Sequence, residues 1–113
     1  MIPTTDAVLT QMRKGVLEFC VLAFLRRGPA YGLEIATSLG RREVLFASEG
    51  TLYPLLARLR KQGWVETSWQ DSPTGPPRRY YALTSEGRAA VEAFAAIWAP
   101  LSQGVDDVLA EAS

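Results

Sequence analysis

A chain of 113 residues, 48% hydrophobic and 21% charged, makes one domain of ordinary size and is too apolar to stay disordered. It contains no histidine and a single cysteine, which excludes a His-based triad, a Cys/His metal site and an internal disulfide; neither an enzyme nor a bound cofactor is expected. The formal net charge is zero, but residues 10–81 carry eleven Lys/Arg against six Asp/Glu, a surplus of +5, whereas from Thr84 onward only Arg88 opposes Glu86, Glu92, Asp106, Asp107 and Glu111, leaving −4. A local patch rather than the sum attracts phosphates, so the neutral total does not exclude nucleic acid.

Residues 7–27 are predicted as a helix, because Leu9, Met12, Val16, Phe19 and Ala23 recur at three- and four-residue steps on one face, widened by Leu22 and Leu25. Asp6 ahead of this run and Arg13-Lys14 within it argue against a secretory signal, and Phe19 to Leu25 is too short an apolar stretch to span a bilayer. A reduced, cytoplasmic chain with no membrane contact is the expectation, with Cys20 inert in an apolar helix. Gly28-Pro29 stops the helix. A short second helix is predicted from about Ala30 to Leu39, ended by Gly40, and Val44-Leu45-Phe46 suggests a short strand.

Ser48 caps a third helix with Glu49 in its first turn, where the helix dipole favours an anion. Leu52, Leu55, Leu56 and Leu59 fall within an arc of about 100°, which gives this helix a sharply defined buried side. It closes at Gln62-Gly63. The segments from Trp64 to Gln70 and from Arg79 to Thr84 read as strands, and residues 71–77, Asp-Ser-Pro-Thr-Gly-Pro-Pro, as the turn between them. Thr84 caps a final helix on which Val91, Phe94, Trp98, Leu101, Val105 and Val108 step in a heptad-like seam, with a kink or restart expected near Ala99 because Pro100 lacks a backbone donor. A domain this small has a modest core, so two apolar stripes of this length point to an oligomer.

The predicted fold class is α+β, mainly α: a winged helix-turn-helix over residues 1–84 followed by a C-terminal dimerisation helix over residues 85–113. In that order of elements the helix after the turn enters the DNA major groove. Here it is residues 48–62, with Gly50, Pro54, Ala57 and Lys61 opposite the leucines and Thr51, Arg58, Tyr53 and Arg60 on the flanks. Small residues admit the backbone to the groove, and hydroxyl and guanidinium groups meet base edges and phosphates. A proline at the sixth helical position normally costs roughly 3 kcal/mol, but its ring presses on the carbonyl of Gly50, which can adjust. Ser48 and Glu49 complete this candidate surface. Arg78, Arg79 and Tyr80 on the hairpin, and more weakly Lys14 and Tyr31, are candidates for phosphate contacts. Strand alternation sends one of Tyr80 and Tyr81 inward and the other outward.

Gly15-Val16-Leu17, residues 30–35 (Ala-Tyr-Gly-Leu-Glu-Ile), residues 48–59 (Ser-Glu-Gly-Thr-Leu-Tyr-Pro-Leu-Leu-Ala-Arg-Leu), Gly63-Trp64-Val65 and residues 78–87 (Arg-Arg-Tyr-Tyr-Ala-Leu-Thr-Ser-Glu-Gly) together resemble the PadR-type regulators over nearly the whole chain. Leu33 departs from the pattern, which commonly has an aromatic residue there. The resemblance implies a homodimer that binds a pseudo-palindromic operator on double-stranded DNA, usually as a repressor. It also implies a dimer made by the first and last helices, here through Leu9, Met12, Val16, Val91, Phe94, Trp98, Leu101, Val105 and Val108. Some similar regulators hold flat aromatic ligands between paired Trp residues, and Trp98 lies at the matching distance from the Tyr-Tyr-x-Leu-Thr run. A small hydrophobic or aromatic effector would then meet Trp98 and Phe94 together with Met12, Val16 and Phe19; the alternative is that Trp98 packs in a filled interface. A winged-helix module that binds protein instead of DNA, and a MarR-like regulator, are the rival readings.

Overall fold

The structure, a computed structural model, describes residues 2–45 and 48–112. The first helix, α1 (Thr5–Phe24), begins earlier than the apolar periodicity because Thr4 caps it: the Thr4 hydroxyl accepts the Ala7 N–H at 3.0 Å. A single 3-10 turn, Leu25–Arg27, follows and ends at Gly28, whose φ of 130° is a conformation that favours glycine. Strand β1 (Ala30–Tyr31) leads directly into α2 (Gly32–Gly40), where the Glu34 carboxylate accepts the Tyr31 N–H at 3.2 Å.

The strand expected at Val44-Leu45 is instead a 3-10 turn, Glu43–Leu45; Phe46 lies outside the described residues. The reason is a side chain from α1. Arg13 donates from Nε to the Val44 carbonyl at 2.8 Å and from Nη2 to the Glu43 carbonyl at 3.1 Å, so these acceptors face α1 and not a neighbouring strand.

Helix α3 (Glu49–Lys61) starts at Ser48, whose hydroxyl accepts the Thr51 N–H, and runs unbroken through Pro54. Leu52, Leu55, Leu56 and Leu59 are all buried, and each such burial is worth roughly 1.5–3 kcal/mol. The helix ends in a Schellman motif: Gly63 takes φ 82°, Trp64 N–H bonds the Leu59 carbonyl at 3.0 Å and Gly63 N–H the Arg60 carbonyl at 3.0 Å.

Strands β2 (Val65–Ser72) and β3 (Gly75–Leu83) form the hairpin, in a three-stranded antiparallel sheet of order β1-β3-β2. The strands run further than the Pro/Gly composition suggests, leaving only Pro73-Thr74 between them. Gln70 pairs with Arg78 and Ser72 with Gly75, so Pro76-Pro77 together oppose Asp71 as a bulge. Two prolines are tolerated there because β1 reaches only Tyr80 and Tyr81, which leaves the other side of β3 open at the tip.

Helix α4 (Ser85–Ala112) is capped by Thr84, whose hydroxyl accepts the Gly87 N–H at 3.1 Å and donates to the Gly63 carbonyl at 2.6 Å. It continues through Pro100, so the helix does not restart there. The core is formed by Leu17, Val21, Leu22 and Leu25 of the first segment, Ile35 and Leu39 of α2, the α3 leucines, and Val65, Tyr81, Leu83 and Val91. Val91, expected in the dimer seam, is 1% exposed and belongs to this core, because the first turns of α4 lie over α1 and the sheet. The outer part of α4 extends away. The radius of gyration is 16.1 Å, against about 13 Å for a compact chain of this length.

Candidate nucleic-acid interface

With four leucines turned inward, α3 presents Gly50, Thr51, Tyr53, Pro54, Ala57 and Lys61 to solvent, as the periodicity requires. Ser48 and Glu49 stand exposed at its N-terminus, with the Ser48 hydroxyl committed to the cap and 3.2 Å from that of Thr51. Tyr53 is half exposed and its hydroxyl end packs against Gly32 at the start of α2: a Cβ added at Gly32 would fall 2.8 Å from the Tyr53 ring and from its hydroxyl. Gly32 therefore serves the close approach of α2 and α3, the joint of the helix-turn-helix.

Arg58, exposed on the flank of this surface, is turned toward α1. Its Nε and Nη2 donate to Glu18 Oε1 of α1 at 3.1 and 3.0 Å, and the side chains are 55% and 17% exposed. An ion pair so open to water is worth about 0.2–1 kcal/mol, but it fixes where the guanidinium points. Arg58 and Thr51 line one wall of an open cleft of about 760 Å³ between α3 and α1, and Lys14, Arg13 and Glu18 line the other. Lys14 is thus placed beside the N-terminal half of α3, while Arg13 is occupied by the Glu43 and Val44 carbonyls.

Period-two alternation separates the paired wing residues. Arg78 and Tyr80 share a face with Tyr31: the Arg78 guanidinium sits 4.4 Å from the Tyr31 ring centre, and Tyr80 meets Tyr31 edge to face at 5.5 Å. Arg79 and Tyr81 take the opposite face, where Tyr81 is buried and Arg79 lies 6.0 Å from its ring and 5.9 Å from that of Trp69. Arg79 Nη2 donates to the Thr67 hydroxyl at 3.4 Å, and its buried Nε has no hydrogen-bond partner among the described residues. The two arginines therefore leave β3 on opposite faces, and both reach the same open crevice. Trp69 opposite Arg79 is 69% exposed, and sequence reasoning passed over it. A tryptophan in a strand is ordinarily read as core; this one shares the face of buried Tyr81 but stands two residues nearer the hairpin tip than Thr67, the partner of Tyr81, beyond the reach of the core.

At the other end of the molecule four rings step outward. Trp64 meets Phe19 at 5.9 Å, Phe19 stacks on Phe94 at 5.0 Å and 6°, and Phe94 meets Trp98 at 5.7 Å. Phe19 and Phe94 thus fill the space between α1 and α4 within one protomer. Trp98 is 43% exposed, with Met12, Leu101, Val105 and Val108 also open and Leu9 and Val16 partly so. Ile97 and Leu109 join this apolar face outside the predicted three- and four-residue steps. Half-buried Cys20 lies nearby in sequence on α1, and burial pushes its thiol pKa up. No helix among the described residues is long and apolar enough to cross a membrane.

Three helices with a tight α2–α3 joint, followed by a two-stranded hairpin and a long terminal helix, constitute a winged-helix fold. Solved structures share it. A PadR-like transcriptional regulator from Bacillus cereus is 39% identical, with a TM-score of 0.78 over 88% of this chain and 96% of that one. A PadR family transcriptional regulator from Eggerthella lenta is 35% identical, with a TM-score of 0.79 over 92% and 90%. An uncharacterised protein of Lysinibacillus sphaericus is 29% identical over 88% of this chain and 93% of its own length. The transcriptional regulator PadR-like family matches residues 21–93, and the chain belongs to that family.

Proposed function

We propose that this PadR-family regulator is a homodimeric, cytoplasmic repressor that binds a pseudo-palindromic operator through α3 and the wing and responds to a small planar or hydrophobic effector. The observation that carries DNA recognition is the outward face of α3. Gly50, Thr51, Tyr53 and Pro54 offer a low, hydroxyl-bearing strip, with Arg60 and Lys61 exposed further along the helix, Lys14 across the cleft beside Thr51 and Arg78 across the crevice beside Tyr53. The strip is narrow enough for the helix to enter a major groove, and the cations surround it where phosphates pass. Residues 1–84 are the DNA-binding unit on this reading and residues 85–113 the dimerisation helix.

Dimerisation is supported by the exposed apolar face of α4. Trp98, Leu101, Val105 and Val108 lie open on a soluble protomer, and with Met12 they supply the centre of an interface needing about 800 Å² per partner. A planar effector would stack on Trp98 where two such faces meet, which locates the site between protomers.

Selection of duplexes from a random library tests the reading. A two-fold symmetric site with half-sites about 10 bp apart, bound with an affinity that falls steeply as salt rises, is expected. Failure to enrich any sequence would transfer the fold to the protein-binding alternative. For the effector, Trp98→Ala should leave operator binding intact and abolish the quenching of tryptophan fluorescence by a planar compound.

A further inference from the structure

The most exposed aromatic ring on the described surface is not on the α4 face but on the wing. Trp69 is 69% exposed, against 48% for Tyr53 and 43% for Trp98. An indole left in water at a hairpin tip gains nothing for the fold. Here it is held in place: Trp69 pairs across the sheet with Arg79, whose guanidinium lies between the Trp69 and Tyr81 rings and is anchored on the Thr67 hydroxyl. The same ring forms one wall of an open crevice of about 460 Å³, with Tyr53 and Gly32 from the helix-turn-helix on the other side and Arg78 and Arg79 between.

Charge identifies the occupant. Neither wing guanidinium lies within ion-pair distance of a carboxylate among the described residues, where Arg58–Glu18 is the ion pair. The crevice thus combines two uncompensated cations with a flat apolar ring, beside the helix face that the proposed function places in the major groove. A deoxyribose-phosphate strand has the matching chemistry: an apolar sugar face that covers an indole, next to an anion that accepts from the indole N–H and from guanidinium.

We infer that Trp69 is a DNA-contact residue of the wing, its ring laid on the sugar-phosphate backbone beside the α3 site, with Arg79 positioning the ring and meeting the adjacent phosphate. This rests on the DNA-binding reading above. Backbone contacts carry no base information, so the effect should be uniform across sequences.

Trp69→Phe and Trp69→Ala would be compared with the wild type on the selected operator and on a random duplex of the same length, about 30 bp. The expected result is a loss of about tenfold for Trp69→Ala on both duplexes. Trp69→Phe should lose most of the tryptophan quenching that DNA induces in the wild type, since Trp64 packs on Phe19 at the base of the wing and Trp98 on Phe94 of α4. Arg79→Gln should reduce the slope of log affinity against log salt by about one. Circular dichroism of each variant checks the fold, which loss of the exposed Trp69 side chain should not affect. If wild-type protein binds the duplex and Trp69→Phe keeps both full quenching and affinity within twofold, the wing assignment is overturned while the DNA-binding reading stands. If the wild type binds neither duplex at low salt, both fall.

Discussion

Gly87 gives the sharpest structural prediction. It occupies the first turn of α4, with its N–H on the Thr84 hydroxyl and its α-carbon pressed against the base of the wing. A Cβ at this position would drive into the Trp64 carbonyl oxygen and approach Leu83 Cδ2 to 3.2 Å. The obstacle is backbone, and it is held: the Trp64 carbonyl accepts the Thr84 N–H at 3.1 Å, and Trp64 N–H closes the end of α3. Alanine in an exposed helix should gain about 1 kcal/mol over glycine. Overpacking against a fixed group costs roughly 1–3 kcal/mol or more, and separating α4 from the wing adds to that cost. The expected net loss is about 2 kcal/mol, equivalent to a Tm lower by roughly 8 °C for a domain of this length. The assay is thermal unfolding followed by circular dichroism, at matched protomer concentration because association shifts apparent stability. A Gly87→Ala variant within about 2 °C of the wild type, or above it, would refute the reasoning, since the helix-propensity gain would then have outweighed the contact.

Glu18→Gln should release Arg58 and remove a negative charge beside the proposed DNA face, raising duplex affinity about two- to fivefold at low salt with little change in Tm; a fall in affinity in an electrophoretic shift assay would show that the pair orients α3. Leu101→Glu combined with Val105→Glu should leave helical content unchanged, because both side chains are half exposed in the protomer, and shift sedimentation to the monomer; a surviving dimer would mean that α4 does not form the interface. Because burial raises the pKa of Cys20, less thiolate is present at neutral pH than in free cysteine. Its reaction with a disulfide reagent should be slow in the native protein, accelerate only as pH rises above the ordinary thiol range, and become fast on unfolding; equal native and denatured rates at neutral pH would contradict the burial.

What could be read from the residues alone was local chemistry. Ser48 and the leucine arc located α3 because a cap and a 3.6-residue period are properties of adjacent residues. Thr84 was recognisable for the same reason. The misplacements came from contacts distant in sequence. Val44-Leu45 looks like a strand until Arg13, 31 residues away, takes the Val44 carbonyl. Arg58 reads as an unpaired cation on the flank of α3, but Glu18, 40 residues away, pairs with it. Val91 fits the seam by spacing, but spacing does not say where on a helix the domain ends and its unpaired face begins. Alternation separated Arg78 from Arg79 in principle; only the burial of Tyr81 decides which of the two faces inward. The exposure of Trp69 was hidden for a different reason: it shares the face of buried Tyr81, and spacing does not say how far along the hairpin the core reaches.

The Thr84 hydroxyl gathers three segments at one point: the end of α3 through Gly63, the base of the wing through its strand, and the root of α4 through Gly87. A helix of 28 residues rooted at that joint is a lever arm about 42 Å long, so a tilt of about 5° at the root sweeps its tip through about 4 Å. The lever works in both directions. A displacement of a few ångströms imposed on the outer half of α4 would return to the joint as a rotation of a few degrees.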